Sequence, residues 1–219
     1  MKKLLILLAC AVSFGACHTF TGPQPGQPAV MPKAGSEFTY RVDAAAGTLQ
    51  EQTTISSILN DTFVAQRRSD TVNGFSTSAN EGYAILNSGD LWPIDTCGCD
   101  TLPLPIASHE TFVGTPHGPW APTKLNGFVD TSTSVIYRTQ YEGESTIAAV
   151  GTNFDCSTVT QTVTVMAESG QAGGGVDTTV ATHRYWYSSK LGFFVKDEES
   201  YLVHGLDSTI FTRTLISYR

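Results

Sequence analysis

The chain has 219 residues, 13 basic and 20 acidic, a net charge of −7, and no basic cluster denser than Arg67-Arg68. A phosphate backbone needs a concentrated positive footprint, so the composition argues against nucleic acid as a partner and against adsorption to anionic lipid by charge alone. The length suits one domain with a real core, not two.

Met1-Lys2-Lys3 is a short basic start, followed by an uncharged apolar run from Leu4 to Val12 and then Ser13-Phe14-Gly15-Ala16-Cys17. These are the parts of a secretory leader. The run is too short to cross a bilayer as a helix, which needs about 20 apolar residues. An ordinary cut after Ala16 would leave bulky Phe14 where a small residue is wanted. Phe14-Gly15-Ala16-Cys17 instead resembles the bacterial lipoprotein signal, a large apolar residue and two small ones before a Cys. The resemblance implies a signal peptide over residues 1–16, acylation of Cys17 and near-permanent membrane attachment, because each buried CH₂ contributes about 0.8 kcal/mol. His18, not Asp, follows the Cys, which in that family's sorting rule implies the outer membrane. Cys10 is set aside because the apolar run before it is too short. A plain secreted protein with an incidental Cys17 is the alternative.

The ten prolines are clustered: Pro23, Pro25, Pro28 and Pro32 near the start, the other six between Pro93 and Pro122. Residues 17–34, with Gly22-Pro23-Gln24-Pro25-Gly26-Gln27-Pro28, read as the lipidated Cys and an extended, mobile tether. Proline gives no N–H to a ladder, so the proline-free stretches are where a sheet is expected.

Residues 35–219 read as a single β domain. Phe38, Tyr40 and Val42 alternate with Thr39 and Arg41. Strand-like segments follow at Glu51–Leu59, Thr62–Arg68 and Tyr83–Leu86, separated by Asn60-Asp61 and Asn73-Gly74 turns. Farther on, Val135, Tyr137 and Tyr141 alternate with polar residues, as do Val159, Val163 and Val165. Gly170–Asp177 reads as a hairpin loop. Thr182–Tyr187, Phe193–His204 and Ser208–Tyr218 complete the set, with a tight reversal at Leu206-Asp207. No helix-length stripe of period 3.6 occurs, although a short helix could hide in 104–112. The class is all-β. Long runs with short links predict a strongly curved antiparallel meander, an open or half β-barrel, with a two-sheet sandwich as the competitor.

Trp92–Pro122 is a long Pro-rich loop holding Trp92, Trp120, His109, His117 and Cys97-Gly98-Cys99. It is expected either to plug one end of the barrel or to act as a ligand lid, with Trp92 and Trp120 covering the interior. Once Cys17 is acylated, Cys97, Cys99 and Cys156 remain in an oxidising compartment. That predicts one disulfide, Cys99–Cys156 first and Cys97–Cys156 next, with a strained Cys97–Cys99 bond across Gly98 as the remaining alternative. The loop's Cys and His spacing matches no common zinc pattern, so no metal is expected. There is no nucleophile elbow, no phosphate loop and no complete zincin string, so no catalytic residue is assigned, and no cofactor. His183 and His204 read as structural strand histidines, and Asp197-Glu198-Glu199 as a solvated edge with Asp197 and Glu199 on one face.

Tyr185-Trp186-Tyr187-Ser188-Ser189-Lys190-Leu191-Gly192-Phe193-Phe194-Val195-Lys196 resembles the hairpin of periplasmic and lipoprotein families built on one curved sheet, similar to lipoprotein carriers of the LolA/LolB type. The resemblance implies a half-barrel with an apolar concave face. The expected function is therefore that of a non-enzymatic cell-envelope lipoprotein, holding a hydrophobic small molecule. The alternative is an envelope adaptor that presents its surface or sheet edge to a protein partner.

Overall fold

The computed structural model describes residues 27–70, 76–94, 102–114, 134–168, 176–203 and 206–219. Among these there is no helix. Eleven strands form one antiparallel sheet: β1 (Glu37–Ala44), β2 (Gly47–Leu59), β3 (Thr62–Asp70), β4 (Ser76–Ile85), β5 (Leu91–Ile94), β6 (Thr111–Gly114), β7 (Ser134–Ala149), β8 (Thr152–Glu168), β9 (Val176–Ser188), β10 (Phe193–Val203) and β11 (Leu206–Tyr218). Their order across the sheet is β5-β4-β3-β2-β1-β11-β10-β9-β8-β7-β6. The first and last strands are thus neighbours in the middle, and the two edges come from the centre of the sequence. The curved open meander is as expected.

Curvature has a local cause. The ladder register slips between Thr39 and Tyr40, Ile55 and Ser57, Tyr141 and Gly143, Phe194 and Lys196, and Glu199 and Ser200. Such bulges bend and twist a strand where they sit. The slip at Val195 also resets the alternation, so that Phe194 pairs with Tyr187 and Asp197 with Tyr185.

One rim of the sheet, the near rim, gathers the β2–β3, β4–β5, β7–β8 and β9–β10 turns. An aromatic plug fills the concave side behind it. Phe193 stacks on Phe38 (ring centroids 5.0 Å apart) and meets Phe63 and Tyr83 edge-on, while Phe63 stacks on Tyr83 at 5.1 Å. Aromatic pairs of this kind contribute about 0.5–1.5 kcal/mol each beyond their burial. Ile55, Leu91, Leu104, Ile106 and Leu215 complete the core.

The expected mobile tether is seated over its last residues. Ala29 is buried and its N–H donates to the Gly89 carbonyl (2.7 Å). The Tyr187 hydroxyl accepts from the Val30 N–H (2.7 Å) and donates to the Val30 carbonyl (3.1 Å). Ser189 donates to Gln27 Oε1 at 2.7 Å. Two glycines make room for this segment. A Cβ on Gly89 would lie 2.7 Å from Pro28 Cβ, and one on Gly192 would lie 2.6 Å from the Val30 oxygen. Both glycines also take positive φ, which other residues resist.

The region read as one long loop contains two short edge strands, β5 and β6, and no helix at 104–112. Pro93 lies inside β5, tolerated because an edge strand has a side that needs no donor. Between the edges runs segment 102–110. The Leu104 N–H donates to the Leu91 carbonyl at 2.7 Å, and Thr139 Oγ1 of β7 donates to the Pro103 carbonyl at 2.7 Å. Fully buried Asp90 fixes its turn: Oδ1 accepts the N–H groups of Ala107 and Ser108, both at 2.9 Å, and Oδ2 accepts the Ser88 hydroxyl. The segment therefore fastens both margins of the open sheet together.

Candidate functional site

Beyond the plug, the inward positions change character. Alternation places Glu51 on β2, Arg67 on β3, Glu81 on β4, His183 and Tyr185 on β9, Asp197 on β10 and Arg213 on β11 along one concave wall. Arg213 is only 3% exposed and Asp197 1%. The Arg213 Nε donates to Asp197 Oδ2 at 2.5 Å, and its Nη1 to Glu51 Oε1 at 2.6 Å. Arg67 continues the chain, with Nε 3.2 Å from Glu51 and Nη2 2.8 Å from Glu81. The Tyr83 hydroxyl donates to Glu81 at 2.9 Å.

The far end of the network is a short row of acid–base groups. The Tyr185 hydroxyl pairs with His183 Nδ1 at 3.0 Å, and His183 Nε2 lies 3.4 Å from Asp197 Oδ1. Tyr185 also stacks on the imidazole at 4.1 Å. Burial raises the Asp197 carboxyl, but the Arg213 guanidinium and the His183 hydrogen bond outweigh it and hold it below the usual carboxylate range. Burial lowers Arg213, and Asp197 and Glu51 more than reverse that. Burial pushes the Tyr185 phenol well up, helped by the Asp197 and Glu81 charges, so it stays protonated. The row is thus a fixed hydrogen-bonded chain whose carboxylate is paired with an arginine.

A cavity of about 370 Å³ opens onto this wall, lined by Arg67, Glu81, Tyr83, His183, Tyr185 and Arg213 among others, with Pro93 and Ile94 from the β5 edge. The concave face is filled by aromatic rings behind the near rim, and beyond them charged groups mix with Val42, Ile94 and Phe211. Where it opens, Arg67, Glu81, Glu199 and Arg213 give it charge.

Several expected site residues lie outside the described residues: Cys17, Cys97, Cys99, Trp120, His117 and His204. Trp92 sits on β5, partly exposed, rather than over the core; its neighbours Pro93 and Ile94 line the cavity. Cys156 is a buried thiol on the inner side of β8 with no disulfide partner among the described residues, and the expected partners Cys99 and Cys97 lie outside them. Its Sγ contacts the Phe154 carbonyl at 3.5 Å, and burial pushes its pKa up to about 12. His109, in a left-handed conformation, stacks on Tyr141 at 3.7 Å. No group of metal-binding side chains occurs among the described residues.

Asp197 and Glu199 do share a face, but the face is the inner one, so Asp197 is a buried ion-pair partner and not a solvated charge. Sequence reasoning missed Arg213, Glu51 and Arg67. A signal was present: Phe211-Thr212-Arg213-Thr214-Leu215 sets an arginine between two apolar residues of one face.

No protein-family model matches the chain, and no curated protein matches it. Solved structures do. The chain is similar to a protein described as a lipoprotein from Parabacteroides distasonis ATCC 8503, at 12% identity and a TM-score of 0.51, over 90% of this chain and 100% of that one. An exported protein with YmcC-like fold from Bacteroides fragilis NCTC 9343 matches at 12% identity and 0.48, over 90% and 98%. The hypothetical lipoprotein YmcC from Escherichia coli K12 matches at 12% and 0.33, over 83% of each chain. At such identity the first likeness shows a shared fold and nothing of function. The other two are too distant to argue from.

Proposed function

We propose that this chain is a cell-envelope lipoprotein, acylated at Cys17 and held on the outer membrane, that binds a small polar molecule in its charged cavity without transforming it. The anchor reading is supported by the Lys2-Lys3 start, the apolar leader and the Phe14-Gly15-Ala16-Cys17 box. The observation that carries the binding reading is the 370 Å³ cavity lined by Arg67, Glu81, Glu199 and Arg213, with Arg213 held from behind by Asp197 and Glu51. Ligand pockets combine a preformed hollow with a few fixed polar groups, and here the ion pairs and the His183–Tyr185 stack hold those groups rigid. Binding is favoured over catalysis because Asp197 is already paired with Arg213 and burial keeps the Tyr185 phenol protonated. The LolA/LolB-like carrier reading shares the half-barrel but calls for an apolar occupant, and two arginines and two glutamates line this cavity beside Ile94 and Phe211.

The test is to purify the protein from cell envelopes and extract it separately with aqueous methanol and with chloroform, analysing both by mass spectrometry. A polar compound near equimolar amount supports the proposal. An equimolar lipid-like compound instead supports the hydrophobic carrier. An empty protein that crosslinks in cells to one envelope protein supports the adaptor.

A further inference from the structure

The N-terminal segment leaves the domain at a fixed place. Gln27 is bonded to Ser189 in the β9–β10 turn, Ala29 to Gly89 in the β4–β5 turn, and Val30 to Tyr187. All three ties are at the near rim. Residues 17–26 separate Cys17 from Gln27. Ten residues span at most about 35 Å when fully extended. The 13-residue β9 and β11 and the 17-residue β8 run about 43 and 56 Å at 3.3 Å per residue. A chain leaving the near rim therefore falls short of the far ends of β8 and β9, though not of the far end of the 8-residue β1, about 26 Å long, so the longer half of the sheet cannot be laid far rim down on a membrane that holds Cys17.

The near rim also carries apolar tips. Leu59, ending β2, is 72% exposed, and Val150 in the β7–β8 turn is 39% exposed. Val150 has φ 53° and the following Gly151 φ 70°. A two-residue turn with both positions left-handed ordinarily takes Asn-Gly, and a β-branched residue there is strained. At the β2–β3 turn the left-handed position is held by Asn60, a residue that tolerates it. An apolar side chain thus stands at an exposed tip at a conformational cost, which marks a site where the side chain matters. Val30 is exposed beside the anchored segment, and Lys33, Lys190 and Arg219 are exposed on the same rim.

We infer that the near rim rests on the lipid bilayer, with the Leu59 and Val150 tips in contact with phospholipid and the charged cavity, on the far side of the aromatic plug, turned away from it. This orientation rests on the Cys17 anchor, while the contact of the tips is a separate claim. The two are separable by experiment. The full-length chain is expressed in cells with benzoylphenylalanine replacing Leu59, Val150 or, on the far rim, Ala45. Labelled fatty acid reports acylation, and irradiation followed by mass spectrometry reports phospholipid adducts. The expected result is an acylated protein with several-fold more phospholipid adduct at positions 59 and 150 than at 45. Acylated protein with as much adduct at 45 overturns the orientation and leaves the anchor intact. Absence of fatty acid overturns the anchor itself. Val150→Asn supplies a second reading. It is expected to raise the melting temperature by removing strain while lowering adduct formation at position 59; a lower melting temperature would show that Val150 is there for stability and not for contact.

Discussion

Replacing Arg213 by methionine would leave buried Asp197 with no guanidinium and Glu51 with Arg67 alone. The geometry sets the magnitude. Both carboxylates are at or below a tenth exposed and both bond the same side chain. Breaking a buried pair from one side costs about 3–5 kcal/mol, because the remaining charge is uncompensated. For a domain of this size that corresponds to a loss of about 6–20 °C in Tm. The pH dependence gives a sharper reading. In the wild type the Asp197 pKa is depressed, so its contribution is present above the unfolded carboxylate value and is lost as pH falls through the folded value. In Arg213→Met the burial that already pushes Asp197 upward is unopposed by Arg213, so protonation relieves the variant as pH falls. The stability gap between the two proteins should therefore be widest near neutral pH and narrow towards pH about 4, where an unpaired carboxyl takes up its proton. Urea unfolding across that range measures it. A gap below about 1 kcal/mol at neutral pH, or one that does not change with pH, would refute the account of the wall as a charge-balanced network. Replacing Arg213, Asp197 and Glu51 together by apolar residues should recover much of the loss.

Gly192→Ala should cost more than about 1 kcal/mol, since it combines a positive φ with a clash against the Val30 carbonyl; limited proteolysis should then cut within residues 27–33, which the wild type protects. Asp90→Ala removes the acceptor for three donors and should cost about 1–3 kcal/mol, with faster hydrogen exchange confined first to the 102–108 segment. Cys156 should resist alkylation in the native protein at pH 8 and react after unfolding, because its thiol is buried and its pKa lies near 12; peptide mapping of a non-reduced digest would reveal any bond to Cys97 or Cys99.

The strands were legible because alternation is a local property. Phe38, Tyr40 and Val42 announce β1 without help from the rest of the chain, and the proline-free stretches outline most of the sheet. The pairing of β1 with β11 is not local: nothing in Glu37–Ala44 names Leu206–Tyr218 as its neighbour. The 92–122 region hid its edge strands because four residues are too few to show a period, and Pro93 argued against them. The charged wall was hidden for a different reason. The bulge at Val195 shifts the phase of β10, so counting from Phe193 cannot tell whether Asp197 looks inward. Its partners Glu51 and Arg213 are distant in sequence, and only the assembled sheet brings them to one guanidinium. The tether was read as mobile from its composition, yet Ala29 and Val30 are held by glycine gaps and a tyrosine hydroxyl contributed from elsewhere.

The central seam of the sheet has a consequence for how the molecule is made. The Glu37 N–H donates to the Arg219 carbonyl at 2.9 Å, and the Arg219 N–H returns the bond to Glu37 at 3.0 Å. Synthesis, amino end first, delivers β1 early and β11 last. Until β11 emerges, β1 has one unpaired flank, Arg213 is missing from the wall, and the β1–β5 and β6–β10 halves are joined only through segment 102–110. Contacts that close such long loops form slowly. The polypeptide therefore stays unlocked until its carboxyl end arrives, and its last strand acts as the zip that turns two loosely joined flaps into one cupped body.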